Sequence, residues 1–188
     1  VASIAALATA GCGDDEKFEG SPDPATERSD RPAEPPPGWR TLANRRAGFT
    51  VSIPDDWAAR TRSSATLIRS SDRLVAVTVA ADRSEPGRRT RPLAYARRAF
   101  RALPGFRRLR AGRGRRVARS PYPTGRVDGA GTLAGRRQRQ RITVAAFRRP
   151  GRVTYTVVAF SAVLDGAAPH AGTLDVLLGS LRARRPRL

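Results

Sequence analysis

The stretch from Gly48 to Trp57 constrains this chain more than any other. Phe49, Val51 and Ile53 alternate with Thr50 and Ser52, the period-2 pattern of a strand buried on one face. Gly48 allows a sharp change of direction in front of it. Pro54 cannot donate to a sheet ladder, so the strand stops there and Asp55 and Asp56 close a turn. Trp57 folds back as a large apolar anchor. The downstream elements are expected to pack around this strand and its tryptophan.

Charge divides the chain in two. Residues 13–37 carry eight acids against Lys17, Arg28 and Arg31, whereas 33 basic and eight acidic residues follow residue 37. One of the 36 basic residues is Lys and the rest are Arg. So lopsided a choice suggests GC-biased coding, which weakens any argument from charge alone. Cys12 is the one cysteine, so neither an intramolecular disulfide nor a cysteine-based metal site is open to the chain.

Residues 1–11 are small, apolar and uncharged. As a helix they reach about 16 Å, too short to span a bilayer but suited to the apolar region of a signal peptide, here without its basic start. Thr9-Ala10-Gly11-Cys12 resembles a bacterial lipobox, in which a small residue precedes a cysteine that receives lipid. Thr9 stands where that motif usually has Leu. Residues 12–38 then read as the lipidated Cys12 and a disordered, acidic, Pro-rich tether, with Phe18 the one aromatic before Trp39.

A single domain is expected over residues 39–182, with a basic, frayed tail over 183–188. Strands are predicted at 39–42, 49–53, 66–69 and 74–80, the last a β-branched run. Pro92 suits the first turn of a helix in which Leu93, Ala96, Phe100 and Leu103 form one apolar stripe, with Arg97, Arg98 and Arg101 off it. Residues 106–124 alternate arginines with short apolar pieces and suggest no regular element. Residues 126–133 read as a strand weakened by Gly129 and Gly131. A hairpin of 139–147 and 152–161 follows, with Pro150-Gly151 suited to a type II turn. A last helix is predicted over 169–181, with Leu174, Leu177, Leu178 and Leu181 inward.

Antiparallel strands, a crossing helix, more strands and a closing helix describe an α+β sandwich. The Gly48–Trp57 string, the helix at 93–103, the strand at 153–161 and the closing Leu178-Gly179-Ser180-Leu181-Arg182 together resemble the PsbP-like fold, in particular actinobacterial LpqN-type lipoproteins. The resemblance covers about residues 39–182. It implies a central antiparallel sheet flanked by helices, and a family of accessory or binding proteins without a shared active site. It therefore implies no catalytic residues.

The residues offer little chemistry of their own. His170, beside Pro169, reads as solvent-exposed, Asp55-Asp56 as turn residues and Asp128 as a turn or bulge residue. No nucleophile elbow, phosphate-binding loop or metal spacing is present in the sequence, and no cofactor is expected. The arginines remain. Arg113, Arg115 and Arg116 lie in a dense cluster that starts at Arg107 and runs past Arg110 to Arg119. Arg137, Arg139 and Arg141 fall on one strand face by period-2 counting. Such stripes either form a solvated face or attract anions. The expected partners are a membrane reached through the lipid anchor and an anionic lipid or cell-wall polymer; the ligand and any protein partner are unknown. Sparse aromatics (Phe106, Tyr122) and an extracytoplasmic address argue against nucleic acid. Two alternatives stay open: a secreted hydrolase with a cleft near the last helix, and an anion- or nucleic-acid-binding basic domain.

Overall fold

A computed structural model describes residues 35–183 except 85–86, 88, 135–138, 150–152 and 165. Cys12, the acidic segment, Arg137 and the Pro150-Gly151 turn lie outside the described residues, as does the tail beyond Ala183. The elements are β1 (Trp39–Asn44), β2 (Phe49–Pro54), β3 (Ala58–Arg62), β4 (Ala65–Arg69), β5 (Val75–Asp82), α1 (Pro92–Arg101), β6 (Phe106–Arg115), β7 (Thr124–Leu133), β8 (Arg139–Arg149), β9 (Val153–Ala162), α2 (Ala171–Ser180) and β10 (Arg182–Ala183).

They build two antiparallel sheets rather than one. A small sheet has the order β1-β2-β10, and a seven-stranded sheet has the order β3-β4-β5-β9-β8-β7-β6. The strand from Phe49 is therefore not part of the main sheet, as a single central sheet would require. It lies across it instead. Phe49, Val51 and Ile53 are fully buried, as alternation predicts, but Thr50 and Ser52 are buried too. The reason is lateral: β1 flanks β2 on one side, and β10 with the end of α2 flanks it on the other, where Ser52 N–H donates to Ser180 Oγ at 2.9 Å. Ala183, where the frayed tail is expected to begin, pairs with Phe49, and Arg182 before it pairs with Thr50.

The main core lies between the two sheets. β2, Trp57, Ile68, Val75, Val77, Val79, Phe147, Val157 and the α2 leucines form it. Each such side chain contributes roughly 1.5–3 kcal/mol through burial. Phe49 meets Tyr155 edge to face at 5.9 Å, and the Tyr155 hydroxyl donates to the Gly48 carbonyl at 2.7 Å. Buried Asn44 fastens the small sheet to β4, donating to Thr66 Oγ1 at 3.1 Å and accepting from Ala47 N–H at 2.9 Å.

A second, smaller core occupies the opposite face of the long sheet, outside the reach of Trp57. Ala96 and Phe100 of α1 pack there on Val127, Ile142, Val144 and Ala146. The stripe predicted for this helix is the one it buries. The glycines that weaken β7 on paper are what let α1 approach. A Cβ on Gly125 would stand 2.2 Å from the Leu93 backbone, and one on Gly129 would meet Phe100 at 2.5 Å. α1 lies over β6–β8 and leaves the same face of β3, β4 and the first half of β5 without a covering helix among the described residues.

Two arginine-rich segments to which the sequence pattern assigns no strand are strands. Residues 106–115 form β6, one edge of the long sheet, with register shifts between Arg107 and Arg110 and between Ala111 and Gly114. Charge and bulges together protect an edge from pairing with another chain. Residues 58–62 form the other edge, β3. The last helix is shorter than predicted: Pro169 and His170 are in a turn, and Leu181 follows the helix, buried.

Candidate anion-binding surface

At the β6–β8 end of the long sheet, on the face shared with α2, cross-strand pairing brings separate arginines together. Asp128 lies opposite Thr143, Ala130 opposite Arg141, Thr132 opposite Arg139, and Arg110 opposite Ala130. Because directly opposed residues share a face, Arg110, Arg139 and Arg141 surround a shallow depression of about 530 Å³. All three are exposed, and none has a carboxylate partner among the described residues.

The acid in this depression is already committed. Asp128 accepts from Thr143 Oγ1 at 2.7 Å, Arg126 Nε at 2.9 Å and Arg115 Nη2 at 3.1 Å. Arg126 is itself buried and its other nitrogen reaches Asp175 on α2. Burial pushes the Asp128 carboxyl up, but the Thr143 hydroxyl and the charges of Arg126 and Arg115 outweigh it, so it lies below the ordinary carboxylate value. A carboxylate held this way is neither a proton donor at neutral pH nor an open cation ligand. Asp128, expected to be a turn or bulge residue, is not in a turn: it stands in mid-strand opposite the β6 irregularity between Ala111 and Gly114, the centre of a four-residue ionic network.

Of the predicted arginines, the structure thus unites Arg139 and Arg141 with Arg110. Arg115 is spent on Asp128, Arg113 is exposed on the β6 edge, and Arg116 is exposed just beyond it. Arg126 and Asp175 were not expected to take part. Their 49-residue separation carries no local signal, although an arginine between Gly125 and Val127 in an apolar strand was a hint that it needed a buried acid.

His170 is also corrected. It is half-buried rather than solvent-exposed, its ring edge-on to Trp57 at 5.6 Å and its Nε2 2.6 Å from Asp72 Oδ2. That pairing, with hydrogen bonds from Ser70 and Leu74 N–H, lowers the Asp72 carboxyl to about 2. Ser70 Oγ donates to Asp72 and accepts from Val75 N–H. The carboxylate therefore sits between serine and histidine, whereas a nucleophilic triad needs the histidine on the serine. Among the described residues no group of three or more His, Cys, Asp or Glu is placed to hold a metal ion.

Two packed sheets, one helix beside the small sheet with its leucines in the core and one on the outer face define an α+β domain of the Mog1/PsbP-like type, with a basic surface at one end. Among solved structures, the Ran-binding protein Mog1p of Saccharomyces cerevisiae shares this fold with TM-score 0.54 at 11% identity, over 77% of this chain and 95% of that one. A Bacteroides thetaiotaomicron protein gives TM-score 0.54 at 10% identity over 78% of this chain and 48% of its own. LpqN of Mycobacterium tuberculosis, involved in cell envelope biogenesis, aligns with TM-score 0.48 at 15% identity, over 78% of this chain and 91% of that one. No protein-family model matches the chain, and no curated protein matches it in sequence.

Proposed function

We propose that the chain is a lipid-anchored extracytoplasmic protein whose α+β domain is a non-catalytic binding or accessory module, held against an anionic lipid or cell-wall polymer by its arginine surface. The observation that carries the reading is the convergence of Arg110, Arg139 and Arg141 around a depression whose one acid among the described residues, Asp128, is already neutralised. A basic surface with its counter-charge consumed internally is left to face external anions. Each exposed arginine adds about 1 kcal/mol at an anionic membrane, so a few suffice to hold a tethered domain down. Cys12 supplies the anchor, and the acidic, Pro-rich residues that follow supply the spacer.

Flotation of the full-length chain with Cys12→Ser tests the surface without the lipid. Anionic vesicles at low salt should carry more protein than neutral ones, and Arg139→Glu with Arg141→Glu should remove the difference. Equal flotation on both vesicle types ends the surface reading. The address is tested separately by radioactive palmitate, which should label the wild-type chain and not Cys12→Ser.

A further inference from the structure

The uncovered face of β3, β4 and the first half of β5 holds a second basic feature, on the opposite side of the long sheet from the Arg139 surface. Register places Arg60 opposite Leu67 and Leu67 opposite Thr78, with Arg62 opposite Ala65 and Arg69 opposite Ala58. The result is a groove of about 740 Å³ with a floor of Leu67, alanines and Thr78, rimmed by Arg60, Arg62, Arg69 and Arg73. None of these four arginines pairs with a carboxylate among the described residues.

We propose that the occupant of this groove is the chain's own acidic segment, residues 14–34. Three observations converge on it. The first is where the segment joins the fold. Gly38 carbonyl accepts from Asp55 N–H at 3.0 Å, and Arg40 Nη2 donates to the Trp57 carbonyl at 2.5 Å, so the chain meets the domain beside Ala58, the first residue of β3 and the partner of Arg69. The second is charge: the segment carries eight acids against Lys17, Arg28 and Arg31, opposite a rim of four arginines with no carboxylate partner among the described residues. The third is its alternation of carboxylates with small apolar residues, as in Pro22-Asp23-Pro24-Ala25 and Pro32-Ala33-Glu34. That composition suits a floor of Ala and Leu beneath an arginine rim.

Length favours this groove over the Arg139 surface. A groove along five-residue β3 measures about 17 Å, while 21 residues extended as polyproline II reach about 65 Å. The segment reaches either surface, but effective concentration falls with the span to be bridged. The Arg139 surface shares the face that β1 roofs but is about 19 Å further along the sheet, four strand spacings from β4 to β7, whereas the groove is reached around the β3 edge beside which the segment joins. Docking neutralises the groove and leaves the Arg139 surface as the open basic face.

The test is a nitroxide at position 25 of the full-length chain, introduced by Ala25→Cys in a Cys12→Ser background, with isotope-labelled backbone amides read by NMR. At low salt the amides of Leu67 and Thr78 should lose most of their intensity, while those of Ala130 and Thr143 keep theirs. The effect should vanish at about 1 M salt, where the screening length is about 3 Å. It should also vanish when Asp23, Glu27, Asp30 and Glu34 are replaced by their amides, changes that leave every described residue untouched. Absence of broadening, even broadening over both faces, or broadening centred on Ala130 overturns the proposal. So does broadening seen only between differently labelled chains in a mixture, which makes the occupant a second copy. Shifts of Leu67 and Thr78 on adding a lysophospholipid, without any nitroxide effect, make it an external amphiphile and overturn it equally.

Discussion

The two faces of the long sheet are built on different principles. One is roofed by β1-β2-β10 and α2, and its core draws on aromatics from distant parts of the chain: Phe49, Trp57, Phe147 and Tyr155. The other is roofed, among the described residues, mainly by α1 over β6–β8, around Ala96 and Phe100, with glycines where the helix backbone descends. The first face keeps its polar network at the rim of its core, and the second leaves half its strands bare. The comparison teaches that a basic chain of modest apolar content concentrates stability in one interlayer and leaves surplus sheet area for contacts.

Truncation at the centre of each face tests that asymmetry. Trp57→Ala removes the larger anchor and the platform for His170, and should cost about 4–5 kcal/mol in chemical denaturation. Phe100→Ala should cost about 3 kcal/mol, since its neighbours are smaller and α1 can settle toward the sheet. Equal losses would abolish the distinction between the two cores. Arg126→Ala comes next, at about 2 kcal/mol. Breaking a buried pair usually costs about 3–5 kcal/mol, but Asp128 keeps Thr143 and Arg115, and Asp175 is half in water. The double change Arg139→Ala and Arg141→Ala should alter stability by less than about 0.5 kcal/mol, while weakening adsorption to anionic vesicles about tenfold or more at low salt.

The smallest expected effect is in acid. The carboxyls of Asp72 and Asp128 both lie below their unfolded values in the native state. Their contributions are complete above the unfolded value near 3.8, and they are lost as pH falls through the folded values, for Asp72 toward about 2. Asp72→Asn should therefore flatten the acid limb of a stability-versus-pH curve and leave its neutral region nearly level. An unchanged limb would mean that the His170 pair does not persist in solution.

Much of this fold is legible in the residues. The β-branched run of β5, the 3.6-residue stripe of α1 and the β8–β9 hairpin strands declare themselves because burial imposes one period on each. β3 and β6 do not, because an edge strand can consist largely of arginines and still pair its backbone with its one neighbour. β10 is two residues long and exists through its pairing with β2, a tertiary fact. Within the candidate surface, period-2 counting finds Arg139 and Arg141. It cannot find Arg126 with Asp175, which meet only after α2 has been laid across the sheet. Nor does it reveal His170, whose ring is fixed by Trp57 and by an acid far away in the sequence.

The placement of β10 has a bearing on biosynthesis. β2 is bordered on one side by the first strand of the domain and on the other by the last. A nascent chain still short of residue 183 has that second border vacant and the edge of an almost wholly buried strand uncovered. Closure must wait until residue 183 has emerged, from the ribosome or, at the proposed extracytoplasmic address, from the membrane, so folding of the interlayer is a late event, and the interval before it is when a chaperone would be needed.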